Sequence, residues 1–148
     1  MAKIIIIEND PKWVQYSIAC LGAEHYKSFD KFNNPTWQSR IRTRLENDGF
    51  QFEQLSSIKE VQQTYAQGLP DSCVIVLDEN IEGGSTQQLF HLFSTKAKES
   101  TLCLSGNQGF INILIPNLFN RCIFKSMTPE YSKRIGHTLK SLVDRLKK

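Results

Sequence analysis

The chain has 148 residues, of which 40% are apolar and 22% charged, and a formal net charge of +3. That is the length of one domain, and the composition is that of a folded globular protein rather than a disordered segment. The longest apolar stretch at the start, Ile4 to Ile7, is far too short to span a bilayer, and Met1-Ala2-Lys3-Ile4 lacks the pattern of a secretory signal, so a cytoplasmic protein is expected. Basic residues are spread over the faces of expected helices, apart from Lys147-Lys148, and nothing in them demands a nucleic-acid surface. Cys20, Cys73, Cys103 and Cys122 show no C-x-x-C spacing, and three of them lie in apolar strand-like runs; buried free thiols are expected rather than a disulfide or a zinc site.

In chain order, Lys3 to Ile7 reads as a buried parallel strand that ends in Glu8-Asn9-Asp10-Pro11. Pro11 can open a helix, and Trp13, Val14, Ile18 and Leu21 continue it as a short helix until Gly22. Residues 23–34 carry Tyr26, Phe29 and Phe32 between polar residues and read as an irregular excursion closed by Asn33-Asn34-Pro35. A helix follows over residues 36–48, with Trp37, Ile41 and Leu45 on one face and Arg40, Arg42 and Arg44 off it. Phe50 to Leu55 alternates apolar and polar, as a strand near a sheet edge does. Ser57-Ile58-Lys59-Glu60 has the capping-box spacing, and an apolar stripe then runs towards Gly68.

The next strand, Cys73 to Leu77, is apolar throughout and ends abruptly at Asp78, followed by an acidic turn and Gly83-Gly84. A helix is expected over residues 85–98, a strand at Thr101 to Leu104, and a helix at residues 110–119 that Pro116 shortens or distorts. Cys122-Ile123-Phe124 is the last strand, ending at Lys125, and Thr128-Pro129 opens a final helix striped by Tyr131, Ile135, Leu139, Leu142 and Leu146. Strands alternating with helices predict an α/β fold: a doubly wound sheet of five parallel strands in the order 2-1-3-4-5, with a crevice between the first and third strands.

The polar residues at the carboxyl ends of strands one, three, four and five are Glu8-Asn9-Asp10, Asp78, Ser105 and Lys125. In the expected sheet they share one edge. A cluster of carboxylates suits a hard cation such as Mg²⁺, and a hydroxyl with an ammonium suits an anion such as a phosphoryl group. Together they suit phosphoryl transfer onto an aspartate. Each residue also has a plainer reading: Asp78 as a turn cap, Ser105 as a turn residue, Lys125 as a surface lysine.

At this point the sequence resembles the receiver domain of two-component response regulators, the CheY-like family, over nearly the whole chain except about residues 12–34. "KIIIIENDP" resembles the family's first strand with its acidic pair, and "VIVLDENIEGG" its phosphoacceptor strand. The resemblance implies that Asp78 accepts the phosphoryl group, that Ser105 and Lys125 contact it, and that Mg²⁺ is held by Glu8, Asn9, Asp10, Asp78 and the backbone carbonyl of Asn80. The separations agree with the family, 27 residues from Asp78 to Ser105 and 20 from Ser105 to Lys125. It departs where Asn9 replaces a carboxylate, which weakens Mg²⁺ binding. It also departs at Glu82 and Ser126, where proline is usual, and at Cys122, in a switch position that is usually aromatic.

The function implied is a stand-alone receiver in a phosphorelay, phosphorylated on Asp78 and signalling through protein contacts, with a sensor histidine kinase among its partners. It is not expected to be an enzyme beyond promoting its own phosphorylation, nor to insert into a membrane or bind nucleic acid directly. The last helix runs to the end of the sequence, so no DNA-binding output domain is expected. The alternative is a pseudo-receiver, an unphosphorylated interaction module, to which Asn9 and Cys122 point. A third reading is a Toprim-like metal-dependent nuclease domain built on Glu8 and Asp78; its second aspartate would fall at Asn80, and it leaves Lys125 unexplained. About residues 12–34 are taken as an insertion between strands one and two, whose aromatics Trp13, Tyr16, Tyr26, Phe29 and Phe32 are expected to pack a satellite core rather than form a dedicated site.

Overall fold

The computed structural model describes residues 2–107, 119 and 121–146. Five parallel strands form the main sheet: β1 (Ala2–Ile7), β2 (Phe50–Leu55), β3 (Val74–Asp78), β6 (Thr101–Ser105) and β7 (Cys122–Phe124), in the order β2-β1-β3-β6-β7. Two short strands, β4 (Asn80–Ile81) and β5 (Gly84–Ser85), pair antiparallel beside it. The helices are α1 (Pro11–His25), α2 (Pro35–Asn47), α3 (Ile58–Thr64), α4 (Thr95–Glu99) and α5 (Pro129–Leu146). The doubly wound order expected from the alternation is the one observed.

Period-two alternation divides the sheet between two cores. Ile4 and Ile6 face one side with Val74, Val76, Leu102, Leu104 and Ile123, under α1, α2 and α5. Ile5 and Ile7 face the other with Ile75, Leu77 and Cys103, under α3, α4 and the 3-10 turn Thr86–Leu92. A strand with helices on both faces has no polar side to offer, which is why Ile4 to Ile7 of β1 and Val74 to Leu77 of β3 are unbroken apolar runs. Burying each such side chain contributes about 1.5–3 kcal/mol.

Three expectations are corrected. First, α1 does not stop at Gly22 but runs to His25, so the irregular excursion shrinks to residues 26–34, with a 3-10 turn at Phe29–Lys31. Gly22 is a packing position: a Cβ there would stand 2.2 Å from Ile41 Cγ1, and the missing side chain lets α1 and α2 approach. Gly136 plays the same part between α5 and α1, where a Cβ would stand 2.4 Å from the Cys20 carbonyl oxygen. Second, the aromatics of the excursion build no satellite core. Phe32 is buried, lies edge-on to Tyr16 at 5.3 Å, and joins the core shared by α1, α2 and α5, with Tyr26 and Phe29 packed against it.

Third, the helix expected over residues 85–98 is broken into the 3-10 turn Thr86–Leu92 and the short α4. Ser85 and Ser94 each cap a new start, through Gln87 N and Ala97 N. The helix expected at residues 110–119 lies outside the described residues except for Phe119, which is buried against Phe90 and Phe93.

Candidate functional site at the carboxyl edge of the sheet

Asp78 is the last residue of β3 and Ser105 the last of β6; Glu8 and Lys125 directly follow β1 and β7. Because β1, β3, β6 and β7 are consecutive in the sheet, the four residues line one edge. The backbone holds this edge tightly. Lys125 N donates to the Ser105 carbonyl at 2.8 Å, extending the β6–β7 ladder, and Glu8 N donates to the Leu55 carbonyl at 3.1 Å.

The Lys125 ammonium bridges the two carboxylates, 2.7 Å from Glu8 Oε1 and 3.1 Å from Asp78 Oδ1. Glu8 is 4% exposed and Asp78 8%. The second Glu8 oxygen accepts from the backbone N–H groups of Asn9 at 2.9 Å and Asp10 at 3.4 Å. Trp13, on the first turn of α1, lies with its ring centroid 4.8 Å from Lys125 Nζ, a distance suited to cation–π attraction. The lysine is therefore held by two carboxylates and roofed by an indole.

One cation shared between two buried carboxylates leaves a surplus negative charge. Burial, then repulsion from Glu8, pushes the Asp78 carboxyl up to about 7, although Lys125 opposes the shift. Burial alone would lower the Lys125 ammonium, but its contacts with Glu8 and Asp78 outweigh that, and its pKa is raised. The surplus charge thus favours a proton on Asp78.

The remaining expected residues stand further out. Asn9 and Asp10 are exposed at the rim, and Asp10 Oδ1 caps α1 by accepting from Lys12 N at 2.9 Å. Asn80 is exposed in the β4–β5 ribbon. Ser105 is buried, and its hydroxyl donates to Glu79 Oε1 at 2.5 Å while accepting from Asn107 N at 2.9 Å. Among the described residues no three His, Cys, Asp or Glu side chains converge as a ready metal cage. The donors for a hard cation are the Glu8 and Asp78 carboxylates, both engaged by Lys125, so a cation would have to share them with the ammonium or displace it.

Three site residues were not picked out by sequence reasoning. Trp13 carried a signal, standing two residues after the helix-opening Pro11, but which way its ring turns depends on tertiary packing. Glu79, next to Asp78, was visible only as part of an acidic turn. Thr86 gave none; its buried hydroxyl donates to the carbonyls of Asp78 at 2.7 Å and Glu79 at 2.9 Å and pins the turn after β3.

This sheet order is that of a fold that the chain shares with solved response-regulator receiver domains. Solved structures share that fold over nearly the full chain. A response regulator receiver domain from Rhodospirillum rubrum is similar with a TM-score of 0.58 at 12% identity, covering 93% of this chain and 92% of that one. A sensor protein from Polaromonas sp. JS666 gives 0.54 at 14% identity, covering 98% of each chain. Response regulator protein TrrA from Thermotoga maritima, solved in complex with Mg²⁺–BeF, gives 0.54 at 13% identity, covering 96% of this chain and 99% of that one. No family model and no curated protein matches the sequence. No helix among the described residues is long and apolar enough to cross a membrane.

Proposed function

We propose that this chain is a single receiver-like domain that accepts a phosphoryl group on Asp78 and signals through protein contacts. The observation that carries the reading is the Lys125 ammonium held between Glu8 and Asp78, with the Ser105 hydroxyl at the end of the adjoining strand. In the reaction an Asp78 carboxylate oxygen attacks the phosphorus of a phosphohistidine or of a small phosphodonor. The bond from phosphorus to the leaving group breaks, the leaving group departs with its electron pair, and an acyl phosphate remains on Asp78. Lys125, already against Asp78, neutralises charge on the phosphoryl oxygens. Ser105 turns its hydroxyl from Glu79 to the same anion. Bound Mg²⁺ supplies further charge neutralisation; Glu8 and Asp78 would hold it, with Asn9, Asp10 and the Asn80 carbonyl as the outer candidates and Asn9 weakening the site. Protein partners, a sensor histidine kinase among them, and a cytoplasmic setting belong to the same proposal.

The second reading, an unphosphorylated pseudo-receiver, draws on the Ser105–Glu79 hydrogen bond, which gives the hydroxyl an acceptor within the chain. One experiment separates the two: incubation with Mg²⁺ and a small phosphodonor, followed by a search for an acid-stable, hydroxylamine-labile phosphate on Asp78. Labelling that Asp78→Asn abolishes supports the receiver. Absence of label in the folded protein at saturating donor supports the interaction module.

A further inference from the structure

Cys103 and Cys122 stand opposite each other in the β6–β7 register. Paired residues on neighbouring strands leave the sheet on the same face, so the two thiols lie side by side. Cys103 is buried in the core beneath α3 and the 3-10 turn, while Cys122 packs against that core and is half-buried. Adjacent strands run about 4.8 Å apart, inside the ~4.4–6.8 Å between Cα atoms that a disulfide can span. The other two cysteines have no such neighbour: Cys20 lies on α1 in the opposite core, and Cys73 just precedes β3.

The pair is also asymmetric. Interaction with the Cys103 thiol holds the Cys122 thiol below its usual value, against the effect of burial. The same interaction, and then burial, raise Cys103 well above it. Cys122 is thus the more thiolate-like of the two and the nearer to solvent, which is the combination that makes a cysteine react first with an oxidant.

We propose that Cys103 and Cys122 are a modification site, a thiol pair that a peroxide oxidises reversibly to a disulfide bolting β6 to β7. The Cys122 thiol gives up its proton, the thiolate attacks one oxygen of hydrogen peroxide, the O–O bond breaks, and the departing hydroxide takes up that proton and leaves as water. Cys122 is left as a sulfenic acid. The Cys103 sulfur then attacks the Cys122 sulfur, the S–O bond breaks, and a second water leaves with the Cys103 proton. Two thiols and one peroxide become one disulfide and two waters, and the two electrons lost by the sulfurs reduce the peroxide. The separation of the two strands lies near the short end of disulfide geometry, and a bond held away from its preferred span is readily reduced again by a dithiol. Its place gives it a consequence: Ser105 is two residues beyond Cys103 and Lys125 three beyond Cys122, so the bond fixes the spacing of the two strand ends that carry them. The proposal does not rest on phosphorylation of Asp78.

The test is a hydrogen peroxide titration of the full chain, with free thiols blocked, proteolysis, and mass spectrometry without reductant. The expected result is a peptide linking Cys103 to Cys122, lighter by two hydrogens and lost on treatment with a dithiol, while Cys20 and Cys73 stay reduced. Cys103→Ser should leave a dimedone-reactive sulfenic acid at Cys122, and Cys122→Ser should leave Cys103 unreacted; Cys→Ala versions serve if serine is not tolerated. The proposal is overturned if the native chain gives no linked peptide. It is equally overturned if the link forms only in denaturant, or if Cys20 and Cys73 oxidise at the same rate.

Discussion

Asp78 and Lys125 make opposite predictions about stability. The folded pKa of Asp78, about 7, lies above its ordinary 3.8. Between these values the folded chain keeps a proton that the unfolded chain has lost, so stability falls as pH rises from about 4 to about 7. Asp78→Asn removes that charge and leaves Lys125 paired with Glu8. It should stabilise the protein by about 1–3 kcal/mol at pH 8, with the gain shrinking towards pH 5. Lys125→Met does the reverse, leaving two buried carboxylates unpaired, and should cost about 3–5 kcal/mol at pH 8. Part of that loss should return at pH 5, where Asp78 takes up a proton. Urea melts of both variants at the two pH values check the signs; a pH-independent change in either would show that the charge balance around Lys125 is not what sets it.

At the scale of elements, the parts legible in the sequence were those whose signal is local and long. Ile4 to Ile7 and Val74 to Leu77 can be little else than strands buried on both faces, and each ends in a carboxylate, so the sheet and the positions of Glu8, Asp78, Ser105 and Lys125 followed. What was not legible depended on a partner elsewhere in the chain. Gly22 reads as a helix stop until Ile41 of α2 is seen against it. The 85–98 stretch reads as one helix because its apolar spacing is right, but the Ser85 and Ser94 caps divide it. Between β1 and β2 the chain runs through two helices where one completes the right-handed crossover, and both open the same way, with an Asx cap followed by proline: Asp10-Pro11 and Asn34-Pro35.

The close crossing of these helices gives a prediction. Gly22→Ala should overpack α1 against Ile41 and cost about 1–3 kcal/mol. Gly22→Ala with Ile41→Val should recover part of the loss, because the nearest atoms, Ile41 Cγ1 and Cδ1, belong to the side chain being shortened. Thermal melts of the single and double variants decide it. Additive losses would mean that the crossing is set elsewhere.

At the scale of the molecule, the proposed metal site would join stability to cation binding, and Asn9 is where the two could be tuned together. The pocket holds two carboxylates against one lysine, and Asn9, exposed at its rim, adds no charge. Its backbone N–H already serves Glu8 Oε2, so the side chain can change without disturbing that contact. Mg²⁺ prefers anionic oxygen and surrenders its waters reluctantly, so a third carboxylate beside Glu8 and Asp78 should tighten binding. The same charge repels its neighbours when no cation is present. Asn9→Asp should therefore bind Mg²⁺ more tightly by calorimetry and unfold more easily without it, by about 0.5–1 kcal/mol given the exposure of the position. Added Mg²⁺ should restore that stability by mass action, in proportion to the logarithm of its concentration above the dissociation constant. The two effects stand or fall together, because both come from one charge facing one pocket. An unchanged Mg²⁺ affinity would place the residue 9 side chain away from Asp78 and remove it from the proposed metal site, whatever the phosphorylation assay shows.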